Sequence, residues 1–276
     1  MSAQPKIVWL ASYPKSGNTW VRFMLLNLLM GKQTSTENLD KVIPDIHVLM
    51  PHYAYPPRLN IPPGATVLMK SHFMLWPEMP FINLTAGFIY IVRNPLDIVA
   101  SAVNYEFLKK AAPADAGDRQ KARDQYVQDF IAHGAVPGWI EARWGTWDDN
   151  VRSYAFDKHP FPGLVLKYED LVREPLAQLT RIVDFLGYRT DAQTLQNAVD
   201  ASSFDNMRRI EDQEVKESKP GFFSRESSTE GLDAGFRFMS RGKPGGSKIT
   251  LTDSERAQLL DRFGPTMERL GYPVHE

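Results

Sequence analysis

The chain contains no cysteine. That excludes a disulfide framework, thiolate metal sites and cysteine nucleophiles, and it suits a reducing compartment. It also lacks an excess of either charge: 32 Lys and Arg stand against 33 Asp and Glu, for a net charge of −1. There is no basic tail and no long run of one sign. The footprint of a nucleic-acid binder is therefore missing, and any anion site must be local. Long apolar runs are lacking as well. The longest, residues 19–30, is interrupted by Arg22 and Asn27 and is too short and too polar to span a bilayer. Residues 1–6 carry no signal-peptide pattern, which leaves the cytoplasm as the default compartment. With no repeat, no low-complexity tract and no linker, residues 1–276 read as one domain, long enough to bury a sizeable core.

What is present is ordinary in bulk, 43% hydrophobic and 24% charged. Strand-like runs at 6–12, 66–70, 86–92 and 163–168 alternate with helix-like runs. The helical runs are 19–30, 95–109, 119–133, 139–157, 175–187, 191–200 and 253–270. The alternation predicts an α/β fold with a mostly parallel central sheet flanked by helices. Such sheets place ligands beyond the carboxyl ends of their strands. Polar residues follow each strand: Tyr13 to Ser16, Lys70 to His72, Arg93 with Asn94, and Tyr168 to Asp170. Two stretches read as irregular, the proline-rich 44–64 and the Gly-, Ser- and charge-rich 214–248. A loop as long as the second is a functional lid or is disordered.

The densest cluster of polar residues joins the first strand to the first helix: Tyr13-Pro14-Lys15-Ser16-Gly17-Asn18-Thr19-Trp20. A loop there aims backbone N–H groups and the positive end of the helix dipole at one point, and Lys15 adds a full charge. Because Lys15 precedes Gly17, the spacing is not that of the nucleotide triphosphatase loop. The second strand ends in Lys70-Ser71-His72. A histidine at such a point can act as a general base, the plain alternative being a capping or core role. After the third strand, Asn94 is a good N-cap, Pro95 suits the first helical position and Asp97 suits the first turn. Arg93 is thereby left at a strand end, suited to a phosphate or, more plainly, to a surface ion pair. Tyr105 and Phe107 are candidates for the wall of a small-molecule substrate pocket. Segments 109–120 and 214–236 are candidates for a mobile lid over it.

The octapeptide resembles the 5′-phosphosulfate loop of the cytosolic-type sulfotransferases, Y-P-K-[SA]-G-T-T-W, departing from it at Asn18. These enzymes use 3′-phosphoadenosine 5′-phosphosulfate (PAPS) and release 3′,5′-diphosphoadenosine (PAP). Other family segments follow in order. Lys70-Ser71-His72 is similar to K-T-H, whose histidine is the catalytic base and whose lysine helps hold the sulfuryl group. Arg93 and Ser101 share the spacing of the 3′-phosphate motif. Tyr168 falls in a Y-E-D-like segment, and Ser202-Ser203-Phe204 resembles the T-S-F segment against the adenine. Trp20 matches the tryptophan that stacks on the base. Arg241, Gly242, Gly245 and Lys248 fit the R-K-G-x-x-G-x-x-K loop, in which Ser240 replaces an arginine.

The resemblance implies a P-loop-like sulfotransferase fold and a sulfuryl transfer to a hydroxyl of a small acceptor (phenol, alcohol, sugar or natural product), with no metal required. It assigns Lys15, Lys70, His72 and Ser101 to catalysis. To the nucleotide it assigns Lys15, Ser16, Gly17, Asn18, Thr19, Trp20, Arg93, Ser101, Tyr168, Ser202, Phe204, Arg241 and Gly242. The alternatives are a small-molecule kinase using ATP and a non-catalytic nucleotide-binding protein. Against the kinase stand the position of Lys15 and the lack of a strand ending in a Walker-type Asp. Against the scaffold stands the presence of both Lys15 and His72. A homodimer is left open, since the family's K-x-x-x-T-V-x-x-x-E segment is met only as Lys248, Thr252 and then Asp253.

Overall fold

A computed structural model describes residues 4–50, 62, 64–110, 113, 115–239 and 249–274. From the N-terminus its elements are β1 (Lys6–Ser12), α1 (Asn18–Met30), α2 (Leu39–Val42), α3 (Ile46–Leu49), β2 (Thr66–Ser71) and β3 (Thr85–Val92). There follow α4 (Pro95–Lys109), α5 (Ala116–His133), α6 (Pro137–Glu141), α7 (Trp147–Ala155), β4 (Gly163–Lys167) and α8 (Tyr168–Arg173). The chain ends with α9 (Pro175–Phe185), α10 (Ala192–Ala201), α11 (Phe204–Lys216), α12 (Phe222–Glu226), α13 (Thr229–Asp233) and α14 (Asp253–Arg269). They group into two compact units, Met1–Val92 with Asp149–Ser203, and Arg93–Asp148 with Phe204–Glu276.

The first unit is built on a wholly parallel sheet in the order β2-β1-β3-β4. Its central strands are unbroken apolar runs because both faces are covered. Val8, Leu10, Ile89, Ile91 and Leu166 of the sheet share one core with Val21, Leu25 and Leu28 of α1 and Leu179, Ile182 and Val183 of α9. The register pairs Ala11 with Ser71 on one side and with Tyr90 on the other. Ser12, Ser71, Val92 and Lys167 therefore end their strands along one edge. The segments beginning at Tyr13, His72 and Tyr168 leave from that edge.

In the second unit, α4 starts as its sequence dictates: Asn94 accepts the Leu96 N–H at 2.9 Å and Pro95 holds the first position. Thr252 and Glu255 form a reciprocal capping box at the start of α14. Glu255 also pairs with Arg123 of α5, both being nearly buried. Trp147 is fully buried and meets Phe263 edge-on at 5.3 Å.

Three expectations need correction. The helix expected over 139–157 is two helices, α6 and α7. Arg143 adopts φ 60°, a left-handed conformation that stops α6, and the Trp144 N–H returns to the Trp139 carbonyl. Residues 214–248 are not all irregular. α11 runs to Lys216, and α12 and α13 lie within the stretch. Within 44–64, residues 46–49 form the single turn α3, capped by the Asp45 carboxylate on the His47 N–H at 3.0 Å.

Candidate active site

Two residues in the loop between β1 and α1 adopt left-handed conformations, Lys15 at φ 67° and Gly17 at φ 97°. For Lys15 this costs about 1–2 kcal/mol, and strain of that kind collects at functional sites. α1 begins with no side-chain cap. The Trp20 and Val21 N–H groups donate to the Gly17 carbonyl, at 3.1 and 3.3 Å, so it is the Asn18 and Thr19 N–H groups that keep their capacity for an outside acceptor. Ser16 is buried, and its hydroxyl finds no hydrogen-bond partner among the described residues. A buried hydroxyl donor beside an uncapped helix start and a half-buried lysine suits a phosphate group. Gly17 is itself required. A Cβ there would lie 2.5 Å from Cδ2 of Tyr168.

Asn18, the departure from the family loop, turns its amide back onto β1. Its Nδ2 donates to the Leu10 carbonyl at 3.0 Å and approaches the Ser12 hydroxyl at 3.4 Å. Further along α1, the Trp20 indole donates to the Ser202 carbonyl at 2.7 Å and meets Tyr168 edge-on at 6.3 Å. Asn27 donates to the Ser202 hydroxyl at 3.0 Å. The fold thus gathers Lys15 to Trp20, Tyr168 and Ser202 in one place.

His72 lies one residue beyond β2. Its Nδ1 is 2.7 Å from the Ser12 carbonyl, which can only accept, so the ring proton sits on Nδ1 and the lone pair on Nε2. Asn150 bridges the surroundings, donating to the His72 carbonyl at 3.0 Å and accepting from the Tyr90 hydroxyl at 2.8 Å. Burial, and after it the charge of Lys70, holds the imidazole pKa well below its ordinary value, so the ring is neutral at physiological pH. Lys70 is buried, with its ammonium 2.8 Å from Oδ2 of Asp45.

The remaining expected residues fall in the second unit or outside the described residues. Arg93 and Ser101 are half-buried, the first just before α4 and the second within it. Phe204 opens α11. Phe107 is buried against Phe236 at 5.3 Å. The Tyr105 hydroxyl donates to Glu226, and its ring meets Phe238 at 5.7 Å. Arg241 and Gly242, with Ser240, Gly245 and Lys248, lie outside the described residues. Among the described residues no group of three or more His, Asp or Glu is placed to hold a metal ion. Nor is any helix among them long and apolar enough to cross a membrane.

The profile of the sulfotransferase domain matches residues 5–271, a span that takes in both units. The chain belongs to the sulfotransferase family. It is an enzyme, and the sulfuryl donor of its reaction is PAPS. Rat sulfotransferase 1A1 is 27% identical to this sulfotransferase over 96% of the chain and 86% of its own length. Human sulfotransferase 1C2 is 25% identical over 75% of the chain and 67% of its own. Among solved structures, retinol dehydratase in complex with androsterone and inactive cofactor PAP superposes with a TM-score of 0.67. It is 16% identical and covers 97% of this chain and 82% of its own. A mouse sulfotransferase complexed with PAP gives 0.63 at 21% identity, over 97% and 86%. These likenesses show the fold.

Sequence reasoning missed Asp45 and His47 of this sulfotransferase, which surround Lys70 and His72. The His72 backbone N–H donates to Nε2 of His47 at 2.8 Å, and the two rings stack at 5.6 Å. Both residues sit in the proline-rich stretch that carries no periodicity. No pattern in the sequence marks them.

Proposed function

We propose that this sulfotransferase moves the sulfuryl group to the hydroxyl of a small-molecule acceptor, with His72 as general base. The single observation that carries this reading is the 2.7 Å contact of the His72 Nδ1 with the Ser12 carbonyl, which fixes the ring and keeps the lone pair on Nε2. Nε2 takes the acceptor proton as the oxygen attacks sulfur. The donor supplies a sulfuryl group already attached to a good leaving phosphate. Lys15, the Ser16 hydroxyl and the first N–H groups of α1 hold the 5′-phosphate and the charge that grows on its bridging oxygen. Lys70 offers a cation to the transferred group. Trp20, Tyr168 and Ser202 form the adenine side, and base–aromatic stacking of this kind is worth about 1–3 kcal/mol. Arg93, Ser101, Arg241 and Gly242 serve the 3′-phosphate, with Phe204 beside the base. Tyr105 and Phe107 border the acceptor.

The retinol dehydratase structures are complexes with androsterone and with retinol, both alcohols, which supports a hydroxyl acceptor here. The deciding experiment is His72→Ala. It should keep its affinity for PAP in calorimetry while losing about 10²–10⁴-fold in transfer to alcohols. For acidic phenols, already partly ionised, the loss should be smaller. Full activity on both acceptor types would make His72 structural. Thermal stabilisation by ATP–Mg²⁺ but not by PAP would instead favour a kinase.

A further inference from the structure

The charges behind the Lys70–His72 motif are linked to one another. Asp45 and Lys70 form a parallel backbone bridge, and the Lys70 N–H donates to the Pro44 carbonyl at 2.8 Å. This places the Asp45 carboxylate beside the Lys70 ammonium, 2.8 Å away, with both side chains 9% exposed. The other carboxylate oxygen accepts the His47 N–H at 3.0 Å. His47 then accepts the His72 N–H on Nε2, so its own ring proton is on Nδ1. Burial, reinforced by Lys70, lowers the His47 pKa to about 3, which keeps that acceptor unprotonated at any working pH. Asp45 is held ionised against its burial chiefly by Lys70, with Arg22 adding to the effect.

A buried ion pair seldom adds stability over two apolar side chains of the same volume. What it imposes is position. A lysine on a flexible four-carbon stem has many rotamers, and Asp45 selects one. His47 similarly fixes the backbone from which His72 projects. We propose that Asp45 and His47 are positioning residues, which hold the Lys70 ammonium and the His72 ring in the geometry for transfer without touching the reacting atoms. The proposal rests on the roles given above to Lys70 and His72.

A double-mutant cycle tests it. Asp45→Asn alone leaves a buried ammonium poorly paired and can fail to fold. The decisive pair is therefore Lys70→Met against Asp45→Asn/Lys70→Met, in which no unpaired lysine remains. If Asp45 acts through Lys70, the two turn over acceptor at the same rate within about twofold, whereas Asp45→Asn in the parent, where it folds, costs about ten- to hundredfold in kcat with KM for the acceptor unchanged. Asp45→Glu should recover part of that loss. A double variant about tenfold or more slower than Lys70→Met overturns the proposal, because Asp45 would then act independently of Lys70.

A second readout does not need turnover. Among the described residues, the groups facing the His72 ring include Lys70, His47, Asp45 and the Ser12 carbonyl and hydroxyl. Lys70 lowers its pKa and Asp45 raises it. In a histidine NMR titration His72 should therefore titrate at higher pH in Lys70→Met than in the parent. Adding Asp45→Asn should bring it part of the way back. Unchanged titration in both variants also overturns the proposal. If the parent protein binds PAP yet sulfates no acceptor, the functional reading fails, while the titration still judges the positioning set.

Discussion

Replacing Gly17 by alanine perturbs the phosphate loop at its tightest point. The residue sits at φ 97°, ψ 10°, where an L side chain costs about 1–2 kcal/mol. The added methyl would also stand 2.5 Å from Cδ2 and 2.8 Å from Cε2 of Tyr168, far inside van der Waals contact. The ring cannot simply swing away. Tyr168 is 8% exposed and belongs to the core cluster shared with α1 and α9. Forced overpacking of this sort costs about 1–3 kcal/mol, so the total is about 2–5 kcal/mol. That is a large part of the about 5–15 kcal/mol that holds an ordinary domain together. Equilibrium urea unfolding measures the loss, with Gly187→Ala as control. Gly187, at φ 65°, has open space around it and should pay only the backbone cost. PAP calorimetry on the same samples should show affinity weakened about tenfold or more for Gly17→Ala, equivalent to about 1.4 kcal/mol. Equal destabilisation by the two substitutions, with PAP affinity intact, would refute the close approach of loop and ring.

Lys15→Met should cut turnover by about 10²-fold or more with the thermal melt unchanged, since the charge acts mainly on the leaving phosphate. Near-normal rates would sink that assignment. Phe107→Ala should change acceptor preference in a panel of phenols and alcohols while PAP affinity stays within about twofold; a proportional loss on every acceptor would argue for a purely structural role. Glu211 gives a pH test. Burial raises its carboxyl to about 7, against the pull of the Met239 and Phe238 N–H groups and of Arg237. A raised carboxyl means the native state holds the proton more tightly than the unfolded chain. Its contribution to stability is then complete below about pH 4.5 and is lost as pH rises to about 7, by at most about 3 kcal/mol. The parent should therefore lose Tm relative to Glu211→Gln between about pH 5 and 8, and a constant difference would contradict the shift.

The strands were legible because each is an apolar run bounded by polar residues, and the parallel sheet followed from their alternation with helices. The loop between β1 and α1 was legible as a candidate phosphate site because a lysine, a serine and a glycine fall together between a strand and a helix. α11 was not, for an identifiable reason. Its buried face is Met207, Ile210, Glu211, Glu214 and Val215, and the two glutamates interrupt the apolar stripe at the positions where a helix signal needs it. They are buried to accept backbone N–H groups, Phe238 and Met239 on Glu211 and Phe223 on Glu214. Those partners are distant in sequence. Asp45 and His47 escaped notice likewise, because their meaning lies in Lys70 and His72, more than twenty residues away.

In the site proposed above, helix α1 carries two recognition duties: its first N–H groups receive the phosphate end of the nucleotide, while Trp20 and Asn27 hold the chain at Ser202 on the proposed adenine side. Because both groups ride on one hydrogen-bonded rod whose side chains pack into the core, the distance between phosphate and base sites is set when the protein folds. The conformational entropy of spacing them has been spent before any ligand arrives. A nucleotide with a longer or shorter link between base and 5′-phosphate cannot be accommodated by adjusting one site alone. On the proposed site the helix is a ruler, and selection among nucleotides would be made by length as well as by charge.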